Sequence, residues 1–384
     1  MKIHYFDHAA TTPMHQDVAK AMLEVMQGPG GNSSSMHAFG RAAKQRLNQS
    51  RDLISAAVGC KPAELLFTSG GTESDNAALI GAARAQRKRG KTHIITSAGE
   101  HHAVLHTCEW LAKEEGFTLT VLSVDKDGFT SPEQVRAAIR PETGLISIMH
   151  GNNEVGTIQP IEEIGRIAKE NGVIFHVDAV QTLGWFEYRL SEMPVDLMSF
   201  SSHKINGPQG VGALYIAAGT SLEPLQHGGS QERKRRAGTE NIAGIVGFAA
   251  AVDICVNERK KKQPYMDELR KRWIELLHEH VRVPVVINGS EQKHLPHIVN
   301  VSFIGVDTET MLMNLDMEGI AAASGSACTS GALERSHVLR AMQLPEEQIL
   351  SAVRFSFGLG NTLEELEDAA QKVGTIVRRI RNNY

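Results

Sequence analysis

Residues 64–79 read Glu64-Leu-Leu-Phe-Thr-Ser-Gly-Gly-Thr-Glu-Ser-Asp-Asn-Ala-Ala-Leu79: a short apolar run, a turn with two adjacent glycines, and the start of a helical pattern. A strand that leads through glycines into a helix is the beginning of a βα unit. Comparable apolar runs follow at 93–97, 119–124, 145–149, 173–177, 197–200 and 211–216, and helical patterns fill many of the gaps. This alternation predicts an α/β fold with a mostly parallel central sheet between helices.

The pattern changes beyond residue 257. The charged run Glu258-Arg-Lys-Lys-Lys-Gln-Pro264 is either the solvated face of a helix or a linker, and we interpret it as lying near a domain boundary. Helices are then predicted at 265–280, at 308–318 and at the C-terminus, with strands at 285–288, 298–303 and 353–357. This part of the chain is therefore expected to form a smaller α+β domain.

Composition and charge exclude several classes of protein. The 384 residues include 40 Lys+Arg and 44 Asp+Glu, a formal net charge of −4, so there is no basic surplus for direct nucleic-acid binding. The four cysteines form no Cys-x-x-Cys pair, so we expect neither a disulfide framework nor a sulfur-rich metal site, and a reduced cytoplasmic setting fits. No apolar run is long enough to span a membrane, and the first residues do not have the pattern of a secretory signal.

The turn at Gly70 and Gly71 is a candidate anion site. Free backbone N–H groups and the positive end of the helix dipole attract negative charge there, and Thr72 adds a hydroxyl donor. The turn lacks the lysine of a P-loop and does not match Gly-x-Gly-x-x-Gly, so neither a nucleoside triphosphate nor a dinucleotide is favoured. Phosphate binding and a plain tight turn are equally good interpretations of this stretch alone.

Two charged residues follow later apolar runs. Asp178 comes after 173–177, where ligands of open α/β sheets bind, and its carboxylate would either face a protonated ring nitrogen or cap a turn. Lys204 lies between 197–200 and a glycine-rich loop, where partial desolvation would make its amine nucleophilic, although an ordinary loop lysine is the simpler interpretation. Together the two residues suggest a Schiff base between Lys204 and pyridoxal phosphate.

Histidines and one cysteine complete the candidates. His101, His102 and His106 lie on or just before a predicted helix, but the Glu of a His-Glu-x-x-His motif is missing, so no metal site is expected. A histidine at a strand's carboxyl end is better placed to stack on a flat cofactor and move protons. Cys328 lies among small residues that would leave its thiol accessible, whereas the other three cysteines are in contexts typical of packed side chains.

Short motifs follow one another along nearly the whole chain. They are Asp7-His-Ala-Ala-Thr-Thr-Pro13, Ser69-Gly-Gly-Thr-Glu-Ser74, Glu100-His101, His150-Gly-Asn-Asn153-Glu-Val-Gly156, His176-Val-Asp178-Ala-Val-Gln181, Ser201-Ser-His-Lys204, Arg236-Ala-Gly-Thr239-Glu-Asn241, Ser324-Gly-Ser-Ala-Cys328 and Arg354-Phe-Ser-Phe357. In this order they resemble the NifS/IscS-type cysteine desulfurases. No single motif is decisive, but their shared order makes coincidence a poor explanation.

The resemblance implies a fold-type-I pyridoxal-phosphate enzyme that forms a homodimer. The large cofactor-binding domain would span 15–257, and the small domain would comprise 1–14 and 258–384 and carry Cys328. By position, Lys204 would form the Schiff base, Asp178 would pair with the pyridinium nitrogen, Gln181 would donate to the phenolate oxygen, and His101 would stack on the ring as the acid–base residue. The phosphate ligands would be Gly71, Thr72, Ser201 and His203, with Thr239 from the other subunit, while Asn153 beside the cofactor and Arg354 would bind the substrate carboxylate.

The resemblance also implies a reaction. L-Cysteine would become L-alanine while its sulfur moves to Cys328 as a persulfide, for delivery to an acceptor protein such as an iron–sulfur cluster scaffold or a tRNA-thiolating enzyme. One alternative is a related pyridoxal-phosphate lyase, acting for instance on selenocysteine, for which Cys328 would be dispensable. Another is a thiol hydrolase that uses Cys328 with a histidine such as His337 and needs no cofactor.

Overall fold

The computed structural model describes residues 3–325 and 335–382, and Cys328 lies outside them. The strands are β1 (His4–Tyr5), β2 (Leu65–Thr68), β3 (His93–Ser97), β4 (Thr118–Leu122), β5 (Thr143–Ser147), β6 (Ile174–Asp178), β7 (Leu197–Ser201), β8 (Gly212–Ile216), β9 (Val285–Asn288), β10 (Ile298–Phe303), β11 (Ile320–Ala321) and β12 (Ala352–Ser356). The helices are α1 (Gln16–Gln27), α2 (Ala38–Val58), α3 (Gly71–Arg87), α4 (His102–Glu115), α5 (Pro132–Ala138), α6 (Ile161–Glu170), α7 (Ile242–His280), α8 (Thr308–Met317), α9 (His337–Ala341), α10 (Glu346–Ile349) and α11 (Leu363–Asn382). Every apolar run predicted as a strand is one, with ends that differ by no more than two residues.

Seven strands form the central sheet in the order β2-β8-β7-β6-β5-β3-β4. The strands from β4 to β7 run parallel to their neighbours, whereas β8 is antiparallel to both β7 and β2. Only residues 202–211 separate β7 from β8, and a parallel crossover needs a longer connection. The prediction of an α/β fold with a mostly parallel sheet is confirmed.

Both faces of this sheet are buried. Along β2, Leu65 and Phe67 pack into a core shared with α1, α2, α6 and α7, while Leu66 packs into a second core with α3 and α4. Successive side chains of a strand point to opposite faces, so a strand that is covered on both sides reads as a continuous apolar run. The sheet therefore lies between two layers of helices. Because both faces are covered, a ligand can reach the sheet only at the ends of its strands.

Helix α7 runs without interruption through the charged stretch at 258–264. It is 39 residues long and includes Pro264, so the stretch is part of a helix and the linker interpretation is wrong. The first half of α7 contributes Phe248 and Val252 to the core beneath the central sheet, and the second half contributes Leu269 and Trp273 to a separate core. Neither α7 nor any other helix of the described residues has the length and apolarity needed to cross a membrane.

The separate core belongs to the C-terminal part of the chain. Strand β10 pairs antiparallel with β9 and β12, and this sheet packs against α8, α11 and the end of α7. The N-terminal residues join it, because β1 pairs with β11 and Phe6 is fully buried in this core. This distribution supports our proposed division into domains of 15–257 and of 1–14 with 258–384.

Candidate active site

The carboxyl ends of β6 and β7 and the amino end of α3 border a cavity of about 280 Å³. Ligands of open α/β sheets bind at this edge. The cavity is lined by Ala10, Gly71, Thr72, Asp75, His101, Met149, Gly151, Asn153, Asp178, Val180, Gln181, Ser201, His203 and Lys204. The structure thus brings together nine residues that the sequence analysis selected, namely Gly71, Thr72, His101, Asn153, Asp178, Gln181, Ser201, His203 and Lys204.

Lys204 follows β7 and its amine meets the N-terminal stretch of the chain. Its Nζ donates hydrogen bonds to the backbone carbonyl oxygens of Ala9, at 2.6 Å, and Ala10, at 2.7 Å. The same stretch is tied to the loop after β7, because Thr12 donates to the His203 carbonyl oxygen from its backbone N–H at 2.9 Å and from its hydroxyl at 2.7 Å. The amine is therefore oriented at the cavity wall by the motif at 7–13, whose contact with Lys204 depends on the fold and not on residues near Lys204 in the sequence.

Asp178 ends β6 and is buried. The Val180 backbone N–H donates to its Oδ1 at 2.9 Å. Burial raises the pKa of Asp178 to about 6, and the Val180 N–H and the Lys204 cation partly oppose this rise. A carboxyl group in this environment gains from a cationic partner in the cavity, because that partner stabilises the charge that burial disfavours.

A second buried carboxyl group, that of Asp75, was missed by the sequence analysis. Burial, followed by the neighbouring Asp178, raises the pKa of Asp75 well above its usual value. His176 lies beside it, with its Nε2 3.6 Å from Asp75 Oδ1 and 3.0 Å from Ser199 Oγ. A signal existed for both residues, since Asp75 is in the glycine-rich stretch that begins α3 and His176 shares a strand face with Asp178 two residues later.

His101 is the N-cap of α4 at the cavity wall. Its Nδ1 accepts a hydrogen bond from the Ala103 backbone N–H at 3.1 Å. Burial, and then the Lys204 cation, lower the pKa of His101 to about 4. The ring is therefore neutral at pH 7, and because Nδ1 is an acceptor, the proton lies on Nε2. A fixed, neutral imidazole of this kind can stack on a flat ligand and exchange a proton through Nε2.

The amino end of α3 supplies the anion-binding character of the cavity. Gly71 begins this 17-residue helix, and a Cβ built on Gly71 would lie 2.7 Å from Val180 Cγ2, so a side chain would crowd the wall. Across the turn, Ser201 Oγ is buried and has no hydrogen-bond partner among the described residues. A buried hydroxyl is normally hydrogen-bonded, so an unpaired one beside a helix amino end favours the anion-site interpretation over a plain turn.

The remaining predicted residues have different positions. Arg354 is buried outside the lining of the cavity, where its Nη1 donates to the Asn153 carbonyl oxygen and its Nη2 to Asp7 Oδ1, both at 2.8 Å. Gln181, by contrast, lines the cavity, and its Nε2 donates to the Ala9 carbonyl oxygen at 2.8 Å. Thr239 is exposed and does not line the cavity of this chain.

These groups fit pyridoxal phosphate. A phosphate matches the unpaired Ser201 hydroxyl and the amino end of α3, a pyridinium nitrogen matches the buried Asp178 carboxyl, and an aldehyde matches the Lys204 amine. The hydrolase alternative has less support, because His337 is held away from this cavity, with its Nε2 2.9 Å from the Glu100 carbonyl oxygen and its ring stacked on His102. The donor set is that of a cofactor site.

Known proteins are similar to this chain over nearly its full length. Residues 4–368 match the family described as Aminotransferase class-V. The chain is 48% identical to a cysteine desulfurase IscS of Methanosarcina thermophila, covering 98% of this chain and 93% of the relative. It is 46% identical to a cysteine desulfurase IscS of Dictyoglomus turgidum, covering 98% and 95%.

Solved structures of similar proteins superpose on this chain over most of its length. A protein described as NifS-like superposes with a TM-score of 0.92 at 36% identity, covering 98% of this chain and all 100% of that one. A structure titled "SspA in complex with cysteine" has a TM-score of 0.82 at 35% identity, covering 92% and 98%. The chain belongs to the Aminotransferase class-V family, within its pyridoxal-phosphate-dependent IscS and NifS-like cysteine desulfurases.

Proposed function

We propose that the protein is a cysteine desulfurase that converts L-cysteine to L-alanine and passes the sulfur to Cys328 as a persulfide. The observation that carries this proposal is the meeting of Lys204, Asp178, His101 and Ser201 around one cavity in a chain that resembles IscS over 98% of its length. Related lyases that need no thiol are not favoured, because the relatives from Methanosarcina thermophila and Dictyoglomus turgidum are named as cysteine desulfurases.

The residues of the cavity divide the work of holding the cofactor and moving protons. When bound, pyridoxal phosphate withdraws electrons from the α-carbon of an amino acid joined to it. Ser201, His203, Thr72 and the N–H groups at Gly71 would hold the phosphate, and Asp178 would keep a proton on the ring nitrogen. Lys204 Nζ would accept the α-proton of the substrate, and His101 Nε2 would relay a proton within the cavity.

Substrate recognition is assigned to Asn153 and Arg354. Asn153 lines the cavity, and Arg354 supports it through the hydrogen bond from Nη1 to its carbonyl oxygen. Arg354 Nε is buried and without a hydrogen-bond partner among the described residues. Because Arg354 lies outside the cavity lining, with Nη1 and Nη2 bonded to Asn153 and Asp7, we assign to its Nε a charge-assisted hydrogen bond to the carboxylate of L-cysteine.

Sulfur transfer moves one sulfur atom from L-cysteine to Cys328. The Cys328 thiolate attacks the substrate sulfur, an S–S bond forms, and the bond between sulfur and the β-carbon breaks. The electron pair of that bond goes to the β-carbon, which takes up a proton, so the carbon skeleton leaves as alanine. The sulfur retained on Cys328 is the oxidised product, and a second thiol is needed to release it as sulfide.

We further propose a cytoplasmic homodimer that serves a sulfur-acceptor protein. Large apolar side chains are exposed near the start of the chain, including Met26, Met36 (91% exposed) and Phe39 (55% exposed), and their cover by a partner chain would remove this apolar area from water. Thr239 would reach the phosphate site of that partner. The three cysteines described by the structure are free thiols, as in reducing compartments, and the acceptor would be an iron–sulfur scaffold or a tRNA-thiolating enzyme.

The test is the formation of alanine and sulfide from L-cysteine in the presence of a thiol reductant. We expect equal amounts of both products from the intact protein, little of either from Cys328→Ser, and loss of the visible cofactor absorbance in Lys204→Ala. Full activity of Cys328→Ser would contradict the role of the thiol and favour a lyase. A colourless protein that binds no pyridoxal phosphate would contradict the proposed function as a whole.

A further inference from the structure

One buried carboxylate oxygen meets both ends of the stretch that carries Cys328. The Ser336 hydroxyl donates to Glu154 Oε2 at 2.5 Å. A Cβ built on Gly325, where the backbone has φ +98°, would lie 2.5 Å from the same Oε2 atom. Gly325 and Ser336, which flank the stretch that carries Cys328, therefore both lie beside a single atom.

Glu154 is itself held firmly, and it is next to the cavity. Its side chain is buried. Its backbone N–H donates to Asn152 Oδ1 at 2.8 Å, and its carbonyl oxygen accepts from Asn300 Nδ2 at 3.3 Å. Asn153, a proposed substrate ligand, lines the cavity. Because Glu154 follows Asn153 in the sequence, its carboxylate places the two ends of the Cys328 stretch close to that ligand.

Two further contacts tie the same flanks to the site. On the amino-terminal side, Ala323 and Arg354 exchange backbone hydrogen bonds of 3.1 Å and 2.6 Å. On the carboxyl-terminal side, His337 Nε2 lies 2.9 Å from the carbonyl oxygen of Glu100, the residue before His101. Both flanks are thus attached beside residues to which we assign roles at the cavity, and Glu154 is the point at which the two flanks meet.

We propose that Glu154 is a positioning residue for sulfur transfer, which holds Ser336 and leaves no room for a side chain at Gly325, so that the stretch between them begins and ends beside the residue that follows Asn153 of the cavity. This inference rests on the proposed function, because it assigns Glu154 to the step that Cys328 performs. A nucleophile displaced by about 1 Å loses on the order of 100-fold in rate. The expected defect is therefore in kcat for sulfur transfer, with the binding of L-cysteine retained.

Variants with matched controls distinguish the loss of the contact with Glu154 from a general loss of stability. Ser336→Ala removes the donor to Glu154, and Ser336→Thr keeps a hydroxyl. Ser336 is also the N-cap of α9, so Ser131→Ala, which removes the N-cap serine of α5, is the matched control. Gly325→Ala crowds Glu154, while Gly360→Ala adds a Cβ at a similar φ of +95° with nothing within 4 Å.

We expect Ser336→Ala and Gly325→Ala holoenzymes to lose about tenfold or more in kcat with little change in KM, and both controls and Ser336→Thr to retain the wild-type kcat. In a Cys328→Ser background, the absorbance change on adding L-cysteine should give the same apparent Kd with and without Ser336→Ala. Glu154→Gln combined with Ser336→Ala should be no slower than the worse single variant, because the two residues act through one contact.

Three results would overturn the inference. They are an unchanged kcat in Ser336→Ala, an equal loss in Ser131→Ala, or a weaker apparent Kd for L-cysteine that accounts for the whole defect. Cofactor absorbance and the Tm are measured for each variant, and Gly325→Ala replaces Ser336→Ala if the latter does not fold. A wild-type protein that forms no alanine from L-cysteine would instead refute the proposed function.

Discussion

The buried ion pair between Arg51 and Glu232 gives the most quantitative prediction for stability. The two side chains are 7% and 3% exposed, Arg51 Nη2 contacts Glu232 Oε1, and Arg51 Nη1 lies 3.0 Å from Oε2. Glu232 Oε2 also accepts from the Phe67 backbone N–H at 3.0 Å. The carboxylate therefore joins α2 and β2 to the segment that leads to Thr239.

Replacing Glu232 by Ala leaves the Arg51 cation buried and unpaired. Breaking a buried ion pair from one side costs about 3–5 kcal/mol, and the orphaned Phe67 N–H adds about 1 kcal/mol. An unfolding entropy of about 2.1 cal/mol/K per residue gives roughly 0.8 kcal/mol/K for this chain, so a loss of about 4–6 kcal/mol lowers the Tm by about 5–7 °C.

Calorimetric or circular-dichroism melting of the holoenzyme measures this shift. The double variant Arg51→Met with Glu232→Leu is the control, because apolar replacement of both partners is often neutral, and it should recover most of the lost Tm. An unchanged Tm in Glu232→Ala, or a double variant that is less stable than the single one, would refute the reasoning.

Three further predictions concern the cavity and its surroundings. Ser201→Ala should weaken the binding of pyridoxal phosphate to the apoprotein about tenfold or more without lowering the Tm of the apoprotein, because this hydroxyl has no partner within the described residues; a fluorescence titration measures the binding, and thermal melting of the apoprotein measures the Tm. Asp178→Asn should lower kcat about 100-fold or more while the bound cofactor stays coloured, and a normal kcat would contradict the pairing of Asp178 with the ring nitrogen. Burial lowers the pKa of His150 from 6.5 to about 3, so the unfolded chain binds the extra proton and stability falls as the pH drops from about 6 to 4 by roughly 1.4 kcal/mol per pH unit for this residue. His150→Gln should remove this contribution to the pH dependence of the unfolding free energy, measured by urea unfolding. An unaltered pH dependence would contradict the assigned role of His150.

Local patterns explain why much of the fold was predictable. The runs at 93–97, 285–288 and 298–303 match strands to the residue, because each is rich in the β-branched residues Val, Ile and Thr, which pack well in strands. Asp178 and Lys204 were selected because each follows such a run, and parallel strands bring their carboxyl ends to one edge. Helix α7 was the exception, since a charged run has the same appearance whether it continues a helix or ends one.

Local sequence patterns were enough to predict the α/β class, the strands and the chemistry-bearing residues at their ends, because each of these depends on neighbours along the chain. The distant groups that surround those residues depend on tertiary packing. The Ala9 and Ala10 carbonyls on Lys204, the carboxyl of Asp75 behind Asp178, and the contact of Ser336 with Glu154 join segments far apart in sequence. Every residue has the same backbone carbonyl, so the sequence does not mark the carbonyls that bind Lys204. A buried carboxylate acquires its partner only when packing excludes water from both groups.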